Sequence, residues 1–157
     1  MNPSIEEHGL DIGTGTGNLA GRFIEKGCSM SGVDQSREML RLARTKYPGL
    51  AARLGNFLAL PYLRERFDFI VTSFAFHHLT EDQQWLALEE MQRLLAPRGK
   101  ICIADLMDAS AVGKPREHPE YPSAPMLTRW FEASGYAVKT HRVNHLLHII
   151  HARKEER

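Results

Sequence analysis

Leu10-Asp11-Ile12-Gly13-Thr14-Gly15-Thr16-Gly17-Asn18-Leu19-Ala20 decides how the rest of this chain is read. The stretch predicts a strand, a glycine turn and the start of a helix. Glycines at 13, 15 and 17 let the backbone turn tightly and let a ligand approach it, because no Cβ stands in the way. The first N–H groups of the helix face the same crevice. A dinucleotide fingerprint requires Gly-x-Gly-x-x-Gly at such a turn. Here the third glycine comes one residue early, position 18 is Asn, and an acid, Asp11, stands two residues before the first glycine.

Outward from that turn, apolar runs alternate with helical patterns, which predicts a parallel sheet covered by helices on both faces. The first strand is expected at about His8 to Ile12, although Glu6-Glu7-His8-Gly9 is a polar start for a buried parallel strand. A helix from Gly17 to Lys26 ends at Gly27, and a second strand follows from Ser29 to Val33, ending at Asp34. Ser36 is a suitable N-cap for a helix running to Tyr47 before Pro48-Gly49. The third strand spans Ala51 to Leu54. Phe67 to Ser73 reads as a fully buried strand. Thr80 caps a helix with Trp85, Leu86, Leu88, Met91, Leu94 and Leu95 on its apolar side. Pro97-Arg98-Gly99 is read as a turn into a fifth strand from Lys100 to Leu106. Four prolines, Pro115, Pro119, Pro122 and Pro125, mark a long loop. A helix from Ser123 to Ser134 then precedes two β-rich segments, Tyr136 to Asn144 and Leu146 to Arg153, whose short connection implies antiparallel pairing.

A length of 157 residues predicts one domain, with residues 1–7 and 154–157 frayed. Lys plus Arg number 20 against 19 Asp plus Glu, a formal net charge of +1. Such a balance supplies no bulk field for nucleic acid or an anionic membrane, so neither partner is expected. Arg37, Arg41, Arg44 and Lys46 recur at helical spacing and read as a solvated face. Cys28 and Cys102 lie in apolar runs without metal-ligand spacing and are expected as reduced core residues of a cytoplasmic protein. His118, His141, His145, His148 and His151 make no metal pattern. No apolar run is long enough to span a bilayer.

In an open α/β sheet the ligand lies beyond the carboxyl ends of the strands. Asp34, at the end of the second strand, can accept hydrogen bonds from vicinal ribose hydroxyls. Gly55-Asn56-Phe57 ends the third, where the Asn56 carbonyl can accept from an adenine amino group and Phe57 can lie along a base or in the core. Ser73-Phe74-Ala75-Phe76-His77-His78-Leu79 leaves the fourth. His77 or His78 could serve there as a general base or orient the loop, since an unperturbed imidazole titrates near neutral pH. Asp105 ends the fifth.

The segment Asp11-x-Gly13-x-Gly15-x-Gly17 resembles motif I of the class I S-adenosylmethionine-dependent methyltransferases. The resemblance runs from Leu10 to about Lys154. It is closest to small bacterial members of the ubiquinone/menaquinone-biosynthesis-like group, the YrrT-like proteins among them. It implies a Rossmann-like, doubly wound sheet of seven strands in the order 3-2-1-4-5-7-6, with strand 7 antiparallel. It also implies S-adenosylmethionine as cofactor, S-adenosylhomocysteine as product and a small-molecule methyl acceptor. Asp11, Gly13, Thr14, Gly15, Gly17, Asp34, Gln35, Met39, Asn56, Phe57 and Ser73 would hold the donor. A pyrophosphate wants the bare positive end of a helix, whereas the donor's methionine end carries an ammonium and a sulfonium, which an acid at the turn suits. Methyl transfer is then expected as a direct in-line displacement, with His77 or His78 as the candidate bases.

Two features depart from the family pattern: Asn56 replaces an acid, and Pro97-Arg98-Gly99 replaces Pro-Gly-Gly. Members of the group also carry one or two helices before the first strand, where this chain has only Met1 to Glu7. A shortened nucleoside-binding or assembly domain is therefore the alternative, and an NAD-dependent oxidoreductase a third. A homodimer is compatible with this sequence.

Overall fold

The computed structural model describes residues 1–156. Its strands are β1 (His8–Ile12), β2 (Ser29–Asp34), β3 (Ala51–Leu54), β4 (Phe67–Ser73), β5 (Leu95–Leu106), β6 (Tyr136–Arg142) and β7 (Leu147–Lys154). The helices are α1 (Asn18–Glu25), α2 (Arg37–Lys46), α3 (Glu81–Leu94) and α4 (Ala124–Ala133), with one 3-10 turn at Phe76–His78. The strands form one sheet in the order β3-β2-β1-β4-β5-β7-β6. β1 to β5 pair in parallel, and β7 runs antiparallel to both β5 and β6. This is the Rossmann-like order expected from the sequence. Among the described residues no helix is long and apolar enough to cross a membrane.

Strand alternation divides the core in two. Leu10 and Ile12 of β1 join Ile70, Ile101 and Ile103 beneath Leu88, Met91 and Leu94 of α3. On the other face Met30, Phe69 and Val71 pack with Ala20 of α1 and Ala43 of α2. Each large side chain withdrawn from water here contributes about 1.5–3 kcal/mol. The polar start of β1 is accommodated by pairing. The His8 N–H donates to the Asp68 carboxylate at 2.8 Å, and its Nε2 lies 3.0 Å from Ser31 Oγ. Gly9 is required because a Cβ there would stand 2.2 Å from Cζ of Phe69.

The helix starts follow the sequence signals. Ser36 Oγ accepts from Met39 N, Ser123 Oγ from Met126 N, and Thr80 with Gln83 forms a capping box. Two expectations are corrected. Pro97-Arg98-Gly99 does not separate a turn from a strand, because β5 already begins at Leu95. Leu95 pairs with Phe67 and Lys100 with Phe69, so two steps along β4 match five along β5, and the chain absorbs the excess as a bulge with Arg98 at φ 64°. Leu86 is 53% exposed, on the solvent side of α3. The Ser29 N–H donates to the Glu7 carbonyl, the Glu7 carboxylate accepts from Lys100 Nζ at 2.8 Å, and Lys154 pairs with Tyr136 inside the sheet. Arg157, expected to fray, lies outside the described residues.

Candidate functional site

A cleft of about 550 Å³ opens at the carboxyl ends of β1 to β4. Its floor is the glycine turn. Gly13, Gly15 and Gly17 have φ of 73°, 55° and 84°, the left-handed region that only glycine enters at little cost. Register holds the turn in place: Gly13 N and Thr14 N both donate to the Val33 carbonyl of β2, at 2.8 and 2.9 Å. Gly17 N donates to the Thr14 carbonyl at 2.9 Å and leads into α1.

Two carboxylates are built into this turn. Asp11 points to the face opposite Leu10 and Ile12 and is 1% exposed. It accepts the Thr14 hydroxyl at 2.9 Å. Burial pushes its carboxyl up to about 7, and the charge of Asp34 adds to the rise against the opposing effect of the Thr14 hydrogen bond. Asp34, on the cleft wall, accepts Gly15 N at Oδ2 and Ser36 N at Oδ1, each at 2.9 Å.

Of the residues expected from the sequence, Gly13, Asp34, Gln35, Asn56, Phe57, Ser73 and His78 line the cleft. The others do not. Asp11 lies beneath the turn, and Thr14 is buried against Gly32, where an added Cβ would stand 2.9 Å from Thr14 Cγ2. Gly15 and Gly17 shape the turn, and Met39 is 43% exposed on α2. Asn56 is modified as a candidate: its Oδ1 already accepts Leu58 N at 2.9 Å, closing an Asx turn. Phe57 is buried edge-to-face on Phe76 with centroids 5.8 Å apart and forms part of the cleft wall.

The adjacent histidines take different partners, although their ring centroids stay 4.1 Å apart. His77 is held away from the cleft: its backbone N–H and Nδ1 meet the two oxygens of Asp105 at 3.1 and 2.6 Å. Asp105, fully buried, also accepts Leu106 N at 2.8 Å. Within the cleft only His78 remains of the two candidate bases. Phe74, Ala75, Leu79 and Gln83 also line it, none of which the strand-end rule singled out. The signal for Phe74 and Ala75 was present, since both directly follow the Ser73 strand end.

This arrangement predicts unequal variants. Asp105→Ala should lower unfolding stability by about 3–5 kcal/mol, because it removes a buried acceptor from a close pair. His78→Ala should stay within about 0.5 kcal/mol. His77→Ala should fall between them. Urea unfolding of the three proteins checks the order, and equal losses for the two histidine variants would contradict it.

The family described as "Methyltransferase domain" matches residues 10–99, from the first core residue of β1 to the bulge of β5. The chain belongs to that family. An uncharacterized methyltransferase of Bacillus thuringiensis is 32% identical to it over 94% of this chain and 78% of that protein. Among solved structures, a TehB-like SAM-dependent methyltransferase from Corynebacterium glutamicum shares the fold, with TM-score 0.78 and 19% identity over 99% of this chain and 83% of that one. So does a Burkholderia thailandensis 1,6-didemethyltoxoflavin-N1-methyltransferase, solved with 1,6-didemethyltoxoflavin and S-adenosylhomocysteine bound. Its TM-score is 0.74 and its identity 24%, over 96% of this chain and 72% of that one. The methyltransferase described here thus carries its cleft where the family's glycine turn lies.

Proposed function

We propose that this methyltransferase uses S-adenosylmethionine as donor in the glycine-turn cleft and transfers the methyl group to a small-molecule acceptor by direct in-line displacement. The observation that carries this reading is the occupancy of the turn by carboxylates. Asp34 takes the Gly15 N–H, and Asp11 lies buried beneath the same turn, held by the Thr14 hydroxyl. A pyrophosphate would need that donor and would meet one acid in its place and a second beneath the turn. A ligand bearing an ammonium and a sulfonium gains from the same charges. Among the described residues no lysine or arginine lines the cleft to reverse that preference.

Asp34 keeps lone pairs on both oxygens for ribose hydroxyls, and Phe57 offers an apolar wall for the base. The donor would supply an activated electrophile, its S–CH₃ bond breaking with the electron pair to sulfur as the acceptor atom takes the methyl. The protein's part is to align the acceptor and exclude water, which accounts for most of the rate such a reaction needs. His78 is the residue available to take a proton where the acceptor atom must lose one.

Calorimetric titration tests the donor. S-adenosylhomocysteine should bind, while NAD should give no heat at about a hundredfold higher concentration. Binding of NAD alone, or of neither ligand, would sink the proposal.

A further inference from the structure

Phe74 is the cleft residue that the fold least requires. It follows the last residue of β4 at φ 52°, in the left-handed region that bulky side chains avoid and glycine or asparagine normally fills. The turn itself has a structural purpose. Phe74 N donates to the Ala104 carbonyl at 3.0 Å, and the reversal brings Ala75 over the glycine turn, where a Cβ on Gly13 would stand 2.6 Å from Ala75 Cβ. Glycine at 74 would make the same turn with less strain. The phenyl ring does not offset that strain by burial, because the residue is 54% exposed and faces the cleft. A strained backbone carrying an exposed aromatic ring points to a role toward a ligand.

The rest of the lining indicates what kind of ligand. Leu58, 40% exposed, adds a second apolar surface from the loop after β3. Asp34 is the one charged lining residue among those described, and no lysine or arginine accompanies it. An anionic group entering this cleft would lose its hydration against a carboxylate with no countercharge, whereas an uncharged apolar surface would be desolvated favourably against the ring.

We infer that Phe74 is an acceptor-facing specificity residue, selecting an acceptor that presents an uncharged apolar face to its ring. This rests on the donor reading above, in which Asp34 and Phe57 hold the nucleoside and leave Leu58 and the exit of β4 to the acceptor.

The test uses the full chain saturated with S-adenosylhomocysteine and two matched probes, 2-naphthol and 2-naphthoate, followed by saturation-transfer NMR titration. Naphthol should bind saturably and naphthoate about tenfold more weakly or worse. F74A and F74G should each weaken naphthol by about tenfold while holding S-adenosylhomocysteine affinity within about twofold. F74G, which relieves the backbone, should melt no lower than the parent protein, so its loss cannot be ascribed to unfolding. F74W should retain naphthol binding. Equal affinity for naphthoate, unchanged naphthol affinity in F74A, or no naphthol binding by the parent protein would overturn the inference. So would loss of S-adenosylhomocysteine in F74A, which would make Phe74 a donor residue. Failure of the parent protein to bind S-adenosylhomocysteine at all is a separate result and would overturn the donor reading itself.

Discussion

Gly13→Val should abolish binding of S-adenosylhomocysteine and cost about 3–4 kcal/mol of stability, from backbone strain and overpacking together. Gly13 sits at φ 73°, which a β-branched residue tolerates poorly, and its Cβ would lie 2.6 Å from that of Ala75. Because that loss is a large share of a domain's stability, a second variant separates unfolding from blockade. Gly13→Ala with Ala75→Gly removes the clashing methyl group and leaves only the strain, about 1–2 kcal/mol. That double variant should fold, yet it still places a methyl group on the floor of the cleft. Calorimetry on both proteins, with thermal melts as the check on folding, decides the matter. Unchanged affinity in Gly13→Val would show that the donor lies elsewhere.

Asp11→Asn should stabilise the unliganded protein at pH 8, leave it unchanged near pH 4, and weaken the donor. The direction follows from the Asp11 carboxyl, which burial raises to about 7 in the folded protein from an ordinary value of 3.8. Between those values the native state holds a proton that the unfolded chain has released, so native stability falls as pH rises through this window. The contribution is complete below the unfolded value and lost above about 7. A rise of roughly three units corresponds to about 4 kcal/mol. Asparagine removes the charge but remains a buried amide, so about 2 kcal/mol of gain at pH 8 is the realistic expectation. Its Oδ1 can still accept the Thr14 hydroxyl. Denaturant midpoints measured from pH 4 to pH 8 should therefore diverge as pH rises. Curves that stay parallel would mean that Asp11 is not raised in the folded protein. A donor carrying an ammonium should lose affinity in the same variant, which makes Asp11 a residue that trades stability for binding.

The fold was legible because its signals are local and repeated. Capping residues Ser36, Thr80 and Ser123 each stand beside their helices and act on backbone three residues away. The strands β1 to β4 were bounded by apolar runs and turn residues. Where the reading slipped, a distant partner overrode a local signal. Pro97-Arg98-Gly99 looks like a turn, but pairing of Leu95 with Phe67 keeps that stretch within the sheet. Leu86 reads as apolar-side, yet the direction of α3 over β5 turns it to solvent.

The candidate site divides along the same line. By itself the sequence determined the glycine turn, because three left-handed backbone positions in five residues leave no other residue type suitable, and it determined that Asp34 closes β2 at the cleft. Only the tertiary structure decided between His77 and His78, which are chemically identical neighbours. Asp105 lies 28 residues further along the chain and claims the first, and the 3-10 turn at Phe76–His78 delivers the second to the cleft. Tertiary structure likewise decided that Asp11 would be buried under α1. Burial depends on what packs above a residue, and no local pattern of residue types encodes which distant surface that will be.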